Sequence, residues 1–479
     1  MAAPGVARRA ETGFLERTFK LRENATTVRT EVIGGLTTFF VMSYIVFVNP
    51  QILNFDNVPD LKKLNLGPGF DQTVAMTALT AGLLTIAMGL VANRPFAMAA
   101  GLGLNAVVAF QLILLSKLPW QAAMGIIFME GIAITILVLT GLREAVLNAI
   151  PLSLKRAIGV GIGLFILLIG LVNAGIVVPG PAPNVPVALS TLNTGPIITA
   201  VIGLLLTLFL FARGVTAALL IGIVGTTVIA GLLHAIFPAY QVSVVDGKAV
   251  WPAALVKLPD LSNAFQGFNF EAFAKLGLIS TILAVFTIML SDFFDTMGTV
   301  VGIGGQAGWL DNRGRLPGIQ RILLVDSIGA AFGGLMSASS NTTYIESAAG
   351  VSSGARTGLA SVVTGVLFLL AMFISPIVGV VPGEATAPAL IIVGFLMAGI
   401  ASKIDLASID EGLPALLTMA VMPFTFSITN GVGAGFVSYA FIKLVRGKAR
   451  EVHPLMWVVV IAFILYFAQA VYAPIKFRE

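Results

Sequence analysis

The chain contains no cysteine and only two histidines, His234 and His453, far apart in sequence. Disulfides and thiolate metal sites are therefore excluded, and a histidine metal cluster is disfavoured. Charge is scarce as well: Lys, Arg, Asp and Glu make up 11% of the 479 residues, against about 25% in an ordinary soluble domain. The first 30 residues lack the short apolar core and small-residue cleavage site of a secretory signal, so nothing marks them for removal.

What the chain has instead is apolar length. Hydrophobic residues make up 57% of it and the mean hydropathy is +0.98. Stretches of roughly 17 to 25 apolar residues, enough to cross a ~30 Å hydrocarbon core, recur from residue 31 to residue 474. The chain reads as one polytopic membrane domain without a soluble module, expected in a plasma membrane such as a bacterial inner membrane. Its pI near 9.5 fits basic cytoplasmic loops and does not call for a nucleic-acid partner; the bilayer is the partner it implies.

Spans are expected near 31–50, 73–92, 96–114, 119–141, 154–175, 196–213, 215–237, 275–303, 320–338, 341–352, 357–381, 387–402, 429–446 and 455–474. A shorter run at 412–427 reads as a bent or re-entrant piece. With the amino terminus inside, sixteen Lys/Arg through residue 403 fall on the inner side. Six fall outside: Lys62, Lys63, Lys117, Lys248, Lys257 and Lys275. That bias supports the orientation.

Two spans are unlike the rest. "NRPFAMAAGLGLNAVVAF" (93–110) and "MSASSNTTYIESAAGVSS" (336–353) carry Gly, Ser, Thr and Asn where a lipid-facing helix would carry Leu, Ile and Val. Laying Pro95 over Met336 places Asn105 on Glu346, in the third and tenth spans. A seven-plus-seven spacing inverts the second half relative to the first, the arrangement of many secondary transporters, and interrupted segments of this kind commonly hold half-helices aimed at a substrate. Close helix packing through small residues is the plainer alternative.

Carboxylates weigh against packing alone. "TIMLSDFFDTMGTVVG" (287–302) puts Asp292 and Asp295 near the middle of the eighth span, about 60° apart on one helical face, so both are expected to serve one cavity. A charge at a helix centre costs roughly 2.5–3.5 kcal/mol, so Asp292, Asp295 and Glu346 together would cost on the order of 8–10 kcal/mol if ionised and unpaired. Apart from Lys275 at the very start of the eighth span, no Lys or Arg lies in the eighth or tenth span. Protonation and polar ligands are the remaining ways to lower that cost; a protonated carboxyl bonding between helices is the structural alternative.

"GLGLNA" (101–106), "DFFDTMGT" (292–299), "TTYIESAAG" (342–350) with "GARTGL" (354–359), "FFVMSYIVFVNPQIL" (39–53) and "MPFTFSITNG" (422–431) resemble, in order and over essentially the whole chain, the AzgA-like branch of the nucleobase–cation symporter superfamily. These are the adenine, guanine and hypoxanthine permeases, related to the UraA uracil transporter. The resemblance implies an all-α polytopic fold of about 14 spans in two inverted repeats, short strands in the third and tenth segments, and a core domain moving against a gate domain, usually in a homodimer. It implies no enzyme and no cofactor, but purine import coupled to protons. The repeats would be 31–237 and 275–474, joined by an outer loop 238–274 and flanked by an inner segment 1–30 and a tail 475–479.

Carried over by position, the resemblance assigns base contacts to Asn105, Asp292, Asp295 and Glu346, with Asp292 and Glu346 as proton-coupling groups. Phe293 or Phe294 would stack on the base, and Ser340, Asn341, Thr342 and Thr343 would add hydroxyl or backbone contacts. A purine edge alternates donors and acceptors, which carboxylates plus an amide can match. Val107 and Val108 stand where an aromatic or other bulky residue is common in such proteins, so the stacking partner stays open. Three other readings stand beside this one. A same-fold transporter of uracil, xanthine or an anion is one, although three carboxylates would repel an anion. An intramembrane aspartyl protease would need its two aspartates on separate helices, and Asp292 and Asp295 share one. A non-transporting receptor is the third.

Overall fold

In lipid, every backbone N–H and C=O must be satisfied within the protein, so apolar stretches of this length fold as helices. The protein is described by a computed structural model that covers residues 13–472 apart from 57–58, 142–148, 182–184, 238–240, 246–247, 253 and 312–315. The expected tail 475–479 and the first twelve residues of the expected inner segment lie outside the described residues.

The first half runs α1 (Val28–Leu53, with a turn at Ser43–Tyr44), α2 (Phe70–Ala92), β1 (Met98–Ala100), α3 (Leu102–Leu115), α4 (Trp120–Thr140), α5 (Leu152–Asn173), β2 (Val177–Val178), β3 (Ala188–Leu189), α6 (Gly195–Ala212) and α7 (Ala218–Ile236). The second runs α8 (Leu278–Gln306), α9 (Ile319–Leu335), β4 (Asn341–Thr343), α10 (Ser347–Ser352), α11 (Gly358–Ala371), α12 (Gly383–Ala398), α13 (Gly412–Thr425), α14 (Ile428–Val445) and α15 (Pro454–Tyr472). Ten of the described helices are long and apolar enough to cross a membrane, and the chain is an integral membrane protein.

Three details differ from expectation. The eighth span starts later because Gly277, at φ 80°, ends a separate helix (Glu271–Leu276) and keeps Lys275 out of the membrane segment. Residues 412–425 form a regular 14-residue helix with Pro423 in its last turn. A two-stranded ribbon, β2 with β3, also follows α5.

The helices pack in pairs: α2 on α11, α4 on α9, α5 on α12, α6 on α7 and α13 on α14. Glycine allows the closest of these approaches. A Cβ on Gly358 would lie 1.9 Å from the Gly89 carbonyl oxygen, and one on Gly394 would lie 2.6 Å from that of Gly163. β1 and β4 pair antiparallel inside the protein, with Ala99 opposite Thr342. Backbone as irregular as this is tolerated at membrane depth only when it is buried in protein, and every residue of both strands is buried.

Outside the helices, Asp56 receives Lys62 and Lys248, each at 2.6 Å, and Lys248 also donates to the Gly379 carbonyl at 2.7 Å. The same connecting segment reaches α12, where Glu384 accepts from Ser243 Oγ and the Val244 N–H, both at 2.8 Å. Glu31 of α1 is buried but fully employed. It accepts the N–H groups of Arg356 and Thr357 at 2.8 and 3.2 Å, capping the start of α11.

Candidate functional site

β1 and β4 each stop after three residues and hand over to a short helix, so the strand pair sits where two half-helices begin. A cleft opens beside this crossing, between α1, α3, α5, α8, α10 and α12. It contains ≈ 570 Å³ of empty space including its open mouth, and its polar lining is Tyr44, Ser291, Asp295, Thr299, Thr343, Tyr344 and Glu346. Ile162, Val393 and Met397 supply apolar wall, and Gly101 to Leu104 present the turn from β1 into α3. The lining holds no Lys, Arg or His.

Ser291, Asp295 and Thr299 are spaced by four, which aligns them along one face of α8. Glu346 immediately precedes α10 and accepts a hydrogen bond from Tyr44 Oη at 2.6 Å. Tyr344, beside it, donates to the Ala100 carbonyl and ties the end of β4 to β1.

Asp292 occupies the neighbouring face of α8 and is wholly buried away from the cleft lining. The 60° between it and Asp295 is enough to send the two into different surroundings, unlike the shared cavity expected from spacing. Asp292 instead meets Glu130 of α4. Ser340 Oγ lies 3.2 Å from Asp292 Oδ2 and 3.5 Å from Glu130 Oε2. One helical turn on, Thr296 donates to Asp326 Oδ2 at 2.7 Å and shares a 2.8 Å bond with Thr342. Asp326 also accepts from the N–H and Oγ1 of Thr343, at 2.8 and 2.7 Å. That carboxylate fixes β4 against α8 and α9.

The expected residues therefore divide. Asp295, Glu346 and Thr343 line the cleft; Asp292, Thr342, Phe293, Phe294 and Asn105 do not. Phe294 packs against the core with Lys155 Nζ 6.0 Å from its ring, and Phe293 sits edge-on to it. Asn105 is fully buried, and neither polar atom of its amide has a partner among the described residues. Glu130, Asp326 and Tyr44 are the residues that spacing did not single out. The signal for the first two was present: "IIFMEGIAIT" and "ILLVDSIGAA" each carry one carboxylate in an otherwise apolar span.

A cleft walled by half-helices at an antiparallel strand crossing, inside a helical membrane domain, defines a permease. The chain belongs to the family described as the permease family, whose model (Xan_ur_permease) matches residues 29–433. It is 41% identical over 453 residues to the adenine permease AdeP of Escherichia coli (strain K12), covering 95% of this chain and 96% of AdeP. It is 40% identical over 453 residues to the guanine/hypoxanthine permease PbuG of Bacillus subtilis (strain 168), covering 94% and 98%. In fold it is similar to the transmembrane domain of a cyanobacterium bicarbonate transporter, BicA. The TM-score is 0.61 at 14% identity, covering 85% of this chain and 97% of that one.

Proposed function

We propose that this chain imports purine nucleobases (adenine, guanine or hypoxanthine) by proton symport. The observation that carries the reading is the cleft lining: two carboxyl groups, Asp295 and Glu346, with five hydroxyls and no cationic side chain. Carboxylates and hydroxyls accept the ring and exocyclic N–H groups of a purine, and hydroxyls also donate to its ring nitrogens and carbonyl. The same lining disfavours an anion. The names of the relatives at about 40% identity, permeases for adenine and for guanine/hypoxanthine, support the substrate class. Glu346 is the group proposed to exchange the coupling proton, because it meets both the cleft and Tyr44 Oη. Asp292 acts from behind the cleft, and Asn105 comes to the base in another state of the cycle.

The transport cycle proposed is alternating access between two inverted repeats. Under an exchange of α1–α7 with α8–α14, the α2–α11 contact maps onto α9–α4, α6–α7 maps onto α13–α14, and α5–α12 maps onto itself. The strand pair does the same about Ala99 and Thr342. This pattern supports a first repeat over α1–α7, a second over α8–α14, and α15 as an addition outside the repeat. On this register Glu346 corresponds to Gly103, two residues from the expected match with Asn105. The core would comprise α1–α4 and α8–α11, with the remaining paired helices as the gate, in a homodimer. Uptake of radiolabelled adenine and hypoxanthine into proteoliposomes tests the reading. Accumulation should appear only when the outside is made acidic relative to the lumen; uptake indifferent to the proton gradient overturns symport.

A further inference from the structure

Glu130 lies at the eleventh of the twenty-one residues of α4 and is wholly buried, as is Asp292 at the middle of α8. Both carboxyls point at Ser340 Oγ, and a hydroxyl has one proton to donate. The outer oxygens, Glu130 Oε1 and Asp292 Oδ1, have no partner among the described residues. The two carboxyls thus face one another across a single hydroxyl. Two ionised carboxylates cannot bond to one another; an acid and a carboxylate can, through a strong charge-assisted O–H···O⁻ bond. The titratable groups facing the pair are Asp326 from α9 and Asp295 from α8 itself, both acidic.

We propose that Glu130 is a positioning residue for proton coupling: it shares one proton with Asp292 across Ser340 and thereby sets the pH at which Asp292 gives up its charge-neutral state. The inference rests on the proton-symport reading above. Glu130 does not touch the cleft, so it acts on the substrate only through α8 and the Ser340 turn, which also accepts the Gly101 N–H at 2.9 Å. A change in the pair is thus one residue from the strand crossing and one helical turn from Asp295. The Gln variant of Glu130 cannot share a proton, and its amide donates to Asp292, favouring the ionised carboxylate. Loss of the Ser340 hydroxyl has the opposite effect, since it removes a donor to the ionised form.

The experiment is gradient-driven uptake of radiolabelled adenine by proteoliposomes as a function of external pH, in wild type, Glu130→Gln, Glu130→Asp and Ser340→Ala. The midpoint of the alkaline limb should move to lower pH in Glu130→Gln by about one pH unit, a tenfold change in the proton concentration required. It should move to higher pH in Ser340→Ala and stay near wild type in Glu130→Asp. If Glu130→Gln is not recovered in the membrane, Ser340→Ala, which loses a single oxygen, carries the test alone. Reduced maximal uptake with unmoved midpoints would mean a purely structural role and overturns the inference. Wild-type uptake that ignores the gradient would instead overturn the symport reading on which it rests.

Discussion

Two carboxylates in this protein sit in opposite surroundings. Asp56, just past the C-terminal end of α1, is buried beside two lysines. Burial alone would push its carboxyl up, but Lys248 and Lys62 outweigh it and hold the group below the ordinary carboxylate range. Asp292, halfway along α8, is buried at least as deeply, yet its neighbours are Glu130, Asp326, Asp295 and hydroxyls. The first arrangement fixes a charge permanently and straps the connecting segment to Asp56, just past α1, and to Gly379, between α11 and α12. The second leaves charge uncompensated unless a proton arrives. The second arrangement is the one on which the proposed proton coupling rests.

The largest expected effect breaks the lysine–aspartate arrangement. Lys248→Met leaves Asp56 with the half-exposed Lys62 alone. It should lower stability in detergent by up to about 3 kcal/mol, the low end of the cost of breaking a buried ion pair, because Lys62 still faces Asp56, as read by thermal unfolding. An unchanged transition would show that Lys62 suffices. On the membrane side, Asp295→Asn should reduce adenine uptake roughly 10- to 100-fold, equivalent to about 1.4–2.8 kcal/mol, while Asp311→Asn, in an exposed loop, leaves uptake near wild type. Equal losses would remove Asp295 from the cleft.

Asn105 sharpens the contrast, being polar, buried and without partners for its amide among the described residues. Asn105→Ala should leave the ligand-free protein no less stable, because an unpaired buried amide costs about 1–3 kcal/mol. Purine affinity should fall by a similar amount if the base supplies the missing partners. A drop in stability with unchanged affinity would assign the amide to the fold instead. The smallest effect belongs to Asp410, outside the spans, whose carboxyl Lys448 and Arg446 hold at about 2. A folded-state value below the ordinary one contributes stability above pH 4 or so, lost as pH falls through about 2. Asp410→Asn should therefore lower stability slightly at neutral pH, leave it unchanged below about pH 2, and so flatten the acid limb of a stability–pH curve.

The membrane class and most helices were legible because apolar length is a one-dimensional property. The interrupted segments were legible too: Gly, Ser and Asn in a span mark buried irregular backbone, and β1 and β4 lie where those residues do. The expected boundary at 275 failed because hydropathy does not register the left-handed backbone of Gly277. The division between Asp292 and Asp295 was not legible, since a 60° separation gains meaning only once the neighbours of α8 are known. Tyr44 reaches Glu346 across 302 residues, a contact no spacing rule contains. Glu130 and Asp326 were within reach of the same reasoning that picked out Asp292, one carboxylate in an apolar span, and lacked only a paired neighbour to draw notice.

The central claim is that a carboxylate without a cationic partner, at the cleft, carries the coupling proton. Glu346→Gln tests it most directly, because glutamine keeps the shape and can still accept from Tyr44 but cannot titrate. Gradient-driven uptake and adenine–adenine counterflow should be measured side by side in proteoliposomes of wild type and Glu346→Gln. The account predicts that the variant retains counterflow and loses accumulation when the lumen is made alkaline. A variant that concentrates adenine as well as wild type would contradict it.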